Sequence, residues 1–260
     1  MKVTTGRIVS TERVFGSTYL TWFQAPALVP GASPGRFLML RLLDGSDPLL
    51  PRPMSYHRVG SSGEVAILYQ ARGRVTSMLP EQPAGTEALL WGPLGRGFYV
   101  RPGSQNVLLV AGGMGVAPLV WLAEVAVAKG KNVTFVIGAR NASMLPPSEL
   151  LPPQAMPTGR QVEIIVATED GSAGRKGTAS EAFEECLSWA DQVFACGPHA
   201  MYESMASVVR RLRDRTPTQV LLETPMACGM GLCYGCAVET RRGVRQVCHD
   251  GPRFELRDVF

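Results

Sequence analysis

Val107-Leu-Leu-Val-Ala-Gly112-Gly113-Met-Gly115-Val-Ala-Pro118 carries the clearest architectural signal in this chain. The residues Val107 to Ala111 are apolar without alternation and stop at glycine, and a helical stretch opens at Pro118. A continuously apolar strand is one covered on both faces, as in a parallel sheet packed between helices. Glycines at such a strand-to-helix junction let phosphates approach the backbone and the positive helix end. The turn departs from the G-x-G-x-x-G fingerprint, and Ala139-Arg140-Asn141 stands where an acidic residue is expected after the next strand. Taken alone, the segment is a moderately specific phosphate-binding signal, and a tight turn with no ligand is the lesser reading.

The same alternation continues toward the C-terminus. Strands are expected at Val133 to Gly138, Val162 to Thr168, Gln192 to Cys196 and Gln219 to Leu222, with helices over Pro118 to Lys129, Ser180 to Trp189 and Ala200 to Arg213. This is the pattern of an α/β doubly wound parallel sheet. The stretch Asn141 to Arg160 is rich in proline and reads as an irregular loop. Cys196-Gly197-Pro198 ends a strand at the place where doubly wound sheets bind ligands, although Cys196 alone, like Cys186, has the ordinary reading of a small buried residue.

Before Val107 the pattern is different. Arg101 to Asn106, with Pro102, Gly103 and Ser104, reads as a linker. Ahead of it, Arg7 to Val14, Thr18 to Gln24, Phe37 to Leu42, Glu64 to Gln70 and Glu87 to Trp91 are short β-branched or alternating runs broken by Gly and Pro, the signature of a small antiparallel barrel. The chain has 260 residues, more than one core usually serves. The expected organisation is therefore a two-domain chain with a cysteine-rich tail: a β-barrel over 1–100, an α/β domain over 101–222 and a third unit over 223–260 with a hairpin around Arg241 to Gly243.

Apolar residues at 45% and charged residues at 18% exclude a disordered chain. The net charge of +4 is small, and the run Arg210, Arg211, Arg213, Arg215 reads as a solvated helix face, so no nucleic-acid partner is inferred. No long apolar segment at the start or elsewhere suggests a leader or a membrane span, and the expected location is the cytoplasm.

Four of the six cysteines crowd into Cys228-x4-Cys233-x2-Cys236-x11-Cys248. In a reducing compartment such clustering favours metal over disulfides. The x4/x2 spacing is that of plant-type [2Fe-2S] loops, whose fourth ligand arrives from elsewhere. Gly229, Gly231 and Gly235 permit positive φ and let backbone N–H groups approach the sulfurs. The alternative, structural zinc, usually shows two CxxC pairs or Cys/His sets. A further segment, Arg52-Pro53-Met54-Ser55-Tyr56, is followed by Tyr69-Gln70-Ala71 and by Gly73-Arg74-Val75-Thr76-Ser77 before a helical turn. An arginine and hydroxyls near a helix start suit a diphosphate, and equally a surface arginine beside a proline turn.

In order, Arg52 to Ser55, Thr76, Gly92-Pro-Leu-Gly95 with Gly97-Phe98, Gly112 to Gly115, Thr168-Glu-Asp-Gly-Ser172, Cys196 to Pro198, Glu223 and the cysteine loop resemble the ferredoxin reductase-like family, in particular the electron-transfer subunits of two-subunit dihydroorotate dehydrogenases. The resemblance implies FAD, one [2Fe-2S] cluster and NAD, with NADP as the alternative. Arg52, Ser55 and Thr76 would bind the FAD diphosphate and ribityl chain, and Pro53, Met54, Tyr69, Gln70 and Ala71 would line the flavin. Val75 stands where the family often has Gly. Gly112, Gly113, Gly115, Cys196, Gly197 and Pro198 would form the nicotinamide pocket, with Glu223 beyond it. Cys228, Cys233, Cys236 and Cys248 would hold the cluster. No side chain is assigned as catalytic. The implied partner is an FMN-containing dihydroorotate dehydrogenase catalytic subunit in a complex of two copies each, serving UMP biosynthesis. A sulfhydrogenase, a transhydrogenase-like complex or ferredoxin is the alternative partner. The family does not say whether Tyr56, which replaces an aliphatic residue, faces the flavin or solvent, and Arg140, Glu169 and Asp170 are all candidates for reading the ribose.

Overall fold

A computed structural model describes residues 1–43, 48–152 and 162–260. Contacts divide the chain into two units, one of Met1–Gly97, Leu222–Glu239 and Gly243–Arg253, the other of Phe98–Leu221, Thr240–Arg242 and Phe254–Phe260. The tail beyond residue 223 thus has its contacts shared between the two units. A segment below about 40 residues seldom builds a core of its own.

In the first unit β1 (Lys2–Phe15), β2 (Thr18–Gln24), β3 (Phe37–Leu42), β4 (Arg52–Ser55), β5 (Arg58–Val59), β6 (Glu64–Gln70) and β7 (Glu87–Leu94) form one sheet in the order β4-β3-β7-β1-β2-β6-β5. Neighbouring strands run antiparallel. The two edge strands, β4 and β5, are separated in sequence only by Tyr56 and His57. One short step therefore joins opposite edges of the sheet, which has to curl toward a barrel. Tyr56 N–H donates to Arg36 O at 3.1 Å, and His57 N–H donates to Ala66 O at 2.9 Å. Register shifts in β1 at Ile8/Ser10 and Arg13/Phe15 supply local bends.

Phe23, Leu38, Leu40, Ile67, Leu79 and Leu90 fill the inside. Each such side chain contributes about 1.5–3 kcal/mol through burial. Tyr56 belongs to this core. Its ring is fully buried and its hydroxyl donates to Leu28 O at 3.2 Å, so it faces neither solvent nor a ligand surface. Burial pushes the phenol pKa up, against the opposing charge of Arg36. After β6, the short α1 (Arg74–Met78) begins at Gly73.

In the second unit β8 (Asn106–Gly112), α2 (Val116–Ala128), β9 (Asn132–Ala139), β10 (Val162–Thr168), β11 (Arg175–Lys176), α3 (Ala179–Leu187), β12 (Gln192–Cys196), α4 (His199–Arg211) and β13 (Thr218–Leu221) follow in chain order. The first five strands of the order β11-β10-β9-β8-β12-β13 pair in parallel with their neighbours, as does β13 with β12. Thr178 caps α3: its hydroxyl accepts from Glu181 N–H at 3.3 Å while the Glu181 carboxylate accepts from Thr178 N–H at 2.6 Å. Arg210 and Arg211 end α4, where cations suit the helix dipole, and Arg211 pairs with Glu184 at 2.5 Å. At the far end of the sheet, Gln192 Nε2 and Gln219 Nε2 both donate to Tyr99 O, at 2.8 and 3.1 Å, which ties down the chain just ahead of the linker.

Of the proline-rich loop, Ala142–Met144 and Ser148–Leu150 are single 3-10 turns, and its part from 153 to 160 lies outside the described residues. β14 (Ala237–Thr240) and β15 (Gly243–Gln246) form the expected hairpin, and β16 (Arg253–Glu255) and α5 (Leu256–Val259) end the chain. No helix among the described residues is long and apolar enough to cross a membrane.

Candidate functional site

The parallel sheet reverses its order at β8, with β9 and β10 to one side and β12 and β13 to the other. Sheets of this kind bind ligands at the C-terminal ends of the strands flanking the reversal. Gly112 to Gly115 follows β8 there, and Cys196 to Pro198 follows β12. The two turns interlock. A Cβ on Gly115 would stand 1.8 Å from Cys196 O, one on Gly112 would stand 2.7 Å from Pro198 Cδ, and one on Gly197 would meet Met201 Cε at 2.6 Å. Packing therefore demands glycine at 112 and 115, whereas at 197 the closest contact is the flexible end of Met201 and the closest backbone atom, Gly112 N, lies at 3.0 Å. Gly113 is demanded by conformation instead: its φ is +54°, and nothing lies within 4 Å of the Cβ position.

The turn after β10 lies beside the turn after β9. Glu169 N–H donates to Ala139 O at 3.1 Å and Asp170 N–H to Arg140 O at 3.2 Å. The Asp170 carboxylate is engaged within its own turn, accepting from the Ser172 hydroxyl at 2.6 Å and from Ser172 N–H at 2.9 Å. Those bonds, the hydroxyl first, hold its pKa below the usual carboxylate value. Glu169 and Arg140 remain exposed beside it.

In the barrel, β4 pairs with β3 through Leu40↔Arg52, Met39↔Pro53, Leu38↔Met54 and Phe37↔Ser55. Its other side approaches β6, whose end carries Tyr69 and Gln70. The fold thus brings together two candidate segments that the sequence keeps apart. Arg52 is half-buried, and its Nη1 donates to Leu50 O at 2.9 Å. Tyr69 is buried, its hydroxyl 3.2 Å from Thr21 Oγ1, and burial pushes its pKa up to about 12 despite that bond. Gln70 Nε2 donates to Ser17 Oγ at 3.2 Å and Ala71 N–H to Ser17 O at 2.8 Å.

Thr76 Oγ1 accepts from Arg72 N–H and Gly73 N–H and donates to Gly73 O, each at 3.0 Å. Its hydroxyl shapes this turn, and Val75 beside it is buried. Glu223 presents open surface yet is surrounded by protein mass. That desolvation raises its pKa, and the charge of Arg72 pulls the other way.

The cysteine loop packs on the same barrel. Trp91 Nε1 donates to Cys228 O at 3.3 Å, and a Cβ on Gly229 would stand 2.6 Å from Met39 Cγ and 3.2 Å from Leu94 Cδ1. Arg96 N–H donates to Gly251 O at 2.5 Å, which secures the returning chain. Amides point at sulfur throughout: Met230 and Leu232 N–H to Cys228 Sγ at 3.4 Å each, Gly231 N–H to Cys248 Sγ at 3.2 Å, and Cys248 N–H to Cys236 Sγ at 3.4 Å. The hairpin β14–β15 delivers Cys248 against the loop that holds the other three. All four thiols are free, Cys236 and Cys248 buried and Cys233 exposed.

Burial pushes the Cys228 thiol up, but the N–H donors of Met230, Cys233 and Leu232 outweigh it and bring the pKa down to about 6. Cys248 goes the other way, to about 12, through burial and its contact with Cys236. Gly229 and Gly231 have φ of +69° and +84°, but Gly235, expected to behave likewise, does not; Tyr234 takes the left-handed turn at +56°. Among the described residues no three His, Cys, Asp or Glu side chains gather as ligands of a single metal ion would. A loop that aims backbone amides at thiolate sulfurs suits an iron–sulfur cluster, whose negative sulfurs such donors stabilise. Sequence reasoning missed Trp91 and Met39, because nothing in linear spacing links a barrel strand to a loop near the C-terminus.

An antiparallel barrel followed by a doubly wound sheet, with a cysteine loop folded back on the barrel, defines an oxidoreductase of the ferredoxin reductase-like fold. The model of the iron–sulfur cluster binding domain of dihydroorotate dehydrogenase B matches residues 223–260, and that of the oxidoreductase NAD-binding domain matches residues 109–207. The dihydroorotate dehydrogenase B (NAD(+)) electron transfer subunit of Desulforamulus reducens is 33% identical over 97% of this chain and 96% of its own. That of Clostridium acetobutylicum is 36% identical over 85% of this chain and 83% of its own. The chain belongs to this family of electron transfer subunits. Among solved structures, the NADH-dependent reduced ferredoxin-NADP oxidoreductase matches with a TM-score of 0.83 and 27% identity over 98% of this chain and 89% of that one. A ferredoxin NADP+ reductase from Neisseria gonorrhoeae shares the fold, with a TM-score of 0.66 and 14% identity over 86% of this chain and 98% of that one.

Proposed function

We propose that this chain passes electrons between a dihydroorotate-oxidising, FMN-containing catalytic subunit and NAD+, in a complex of two copies of each subunit that serves UMP synthesis in the cytoplasm. The observation that supports the reading is that one barrel sheet carries both the candidate flavin strand and the cysteine loop. Met39 pairs with Pro53 on one side and with Trp91 on the other, and Gly229 of the cysteine loop lies on Met39. In this reading the barrel of residues 1–100 binds FAD, residues 101–222 bind the dinucleotide and residues 223–260 supply the cluster ligands.

Arg52 would offer its guanidinium to the FAD diphosphate, Ser55 its hydroxyl and Thr76 the turn it caps. Pro53, Met54 and Tyr69 to Ala71 would line the flavin, with Glu223 nearby. Cys228, Cys233, Cys236 and Cys248 would hold [2Fe-2S], the amides of Met230, Gly231 and Leu232 fixing the sulfurs. When bound, these cofactors supply hydride exchange with the nicotinamide and single-electron exchange with the partner, so the protein's part is binding, orientation and tuning. Gly112, Gly113 and Gly115 with Cys196 to Pro198 would receive NAD. Glu169 would bind a ribose hydroxyl in preference to Asp170, whose carboxylate accepts from Ser172.

The test is co-expression with the catalytic subunit. The purified complex should contain FAD and a reducible [2Fe-2S] signal in electron paramagnetic resonance, and should reduce NAD+ with dihydroorotate. Cys248→Ser should diminish that signal and the NAD+ reduction while the flavin of this chain still bleaches with NADH. A complex without this chain's flavin or cluster, or one indifferent to dihydroorotate, would overturn the reading.

A further inference from the structure

Tyr202 lies in α4 just beyond the Cys196–Pro198 turn, with only 2% of its surface exposed. Its hydroxyl accepts from Gly197 N–H at 2.9 Å and donates to Leu221 O at 2.7 Å. A phenol has one proton to give, so this hydroxyl's donor direction is spent on backbone. The two backbone partners lie at the ends of adjacent parallel strands, β12 and β13. The hydroxyl is therefore a brace across the strand ends. On its other flank the ring of Phe260 stands 5.6 Å from the Tyr202 ring and 4.7 Å from that of His199.

Gly197 is the point at which this brace meets the candidate pocket. A Cβ there would stand 3.0 Å from Gly112 N, and the next contact along, Gly115 against Cys196 O, is closer still. A displacement of Gly197 toward β8 would press on Gly112, and one of Cys196 on Gly115, because the two turns are closely packed there.

We propose that Tyr202 is a positioning residue for the Cys196–Pro198 loop, fixing where the nicotinamide end of the dinucleotide lies. The inference rests on the assignment of that loop to the nicotinamide pocket. Since the hydroxyl is engaged by backbone, it acts through Gly197 rather than on the dinucleotide. Hydride transfer is sensitive to such placement, a shift of about 1 Å costing on the order of a hundredfold in rate.

The experiment uses Tyr202→Phe in the FAD- and cluster-loaded protein, with Gly115→Ala as a second variant. Tyr202→Phe should leave FAD and iron content unchanged and make the Gly197 amide exchange hydrogen faster. The limiting rate of flavin bleaching by NADH in anaerobic stopped flow should fall about tenfold, while the Kd for NADH changes by less than about threefold. A lower melting temperature with rate and Kd both unchanged would mean a purely structural brace and would overturn the proposal. If Gly115→Ala damages the NADH response and Tyr202→Phe does not, the proposal fails and the pocket assignment stands. If neither variant alters the response, both fall. Should Tyr202→Phe not fold, Phe260→Leu loosens the same ring from outside, and an unchanged limiting rate there would equally overturn it.

Discussion

The indole N–H of Trp91 donates to the carbonyl of Cys228 at 3.3 Å. Through this bond a strand of the barrel holds the first cysteine of the cysteine loop, and the flanking Gly229 settles on Met39 one strand away. The loop has few buried apolar residues of its own, so its order depends on the sheet beneath it.

Trp91→Phe keeps a ring in place and removes the donor. A hydrogen bond of this type contributes about 0.5–1.5 kcal/mol. The cluster should therefore bleach in air roughly two- to tenfold faster than in the parent protein, with FAD content unchanged. Identical decay curves would show that the bond does not hold the loop.

Gly113→Val probes the dinucleotide turn. At a φ of +54° a non-glycine residue is strained, and a β-branched one more so, while the Cβ position opens onto unoccupied space. The Cβ itself strikes nothing, so a loss is ascribed to the backbone conformation and the ligand. Calorimetric titration should show NADH binding weakened roughly ten- to a hundredfold, with FAD and iron retained. Unchanged affinity would remove the turn from the pocket.

Asp191 gives a pH dependence at the end of the parallel sheet opposite the glycine turns. Its carboxylate accepts from Gln105 N–H and Asn106 N–H, each at 2.8 Å, and those bonds, Asn106 first, depress its pKa. A folded pKa below the unfolded one contributes stability above the unfolded value, and that contribution is lost as pH falls through the folded one. Asp191→Ala should lower the melting temperature by roughly 2–4 °C at neutral pH. As pH falls from the ordinary aspartate pKa through the depressed folded one, the two proteins should converge. A difference that persists unchanged in acid would assign the effect to something other than the carboxylate.

Much of this architecture is legible in the sequence because hydrophobic period and glycine punctuation are local signals. Gln192–Cys196 and Thr218–Leu221 emerge almost where apolar runs place them. β4 and β5 are harder to read: they are short, Pro53 interrupts the strand signal, and edge positions tolerate a proline that central strands do not. Barrel closure depends on strand order, which no single segment encodes. The burial of Tyr56 follows from that closure and could not be read from its neighbours. Gly235 shows the same limit, since glycine permits a left-handed turn without requiring one, and Tyr234 makes the turn in its place. Tyr202 and Trp91 act on residues distant in sequence and carry no local mark.

Arg52 and Thr76 are proposed to serve the FAD diphosphate in different ways, and salt separates them. Arg52 would act by charge, with a contact contributing on the order of 1.5–3 kcal/mol. Arg52→Ala should weaken FAD retention roughly ten- to a hundredfold at low salt, and the gap from the parent protein should narrow as ionic strength rises and screens the contact. The Thr76 hydroxyl instead holds the amides of Arg72 and Gly73 in place. Thr76→Val should loosen that turn and weaken FAD by about tenfold with little dependence on salt. Thr76→Ser keeps the hydroxyl and should retain FAD. Flavin fluorescence released during dialysis at low and high salt reads all three variants. If Arg52→Ala retains FAD fully, or if Thr76→Ser loses as much as Thr76→Val, the assignment of these residues is wrong.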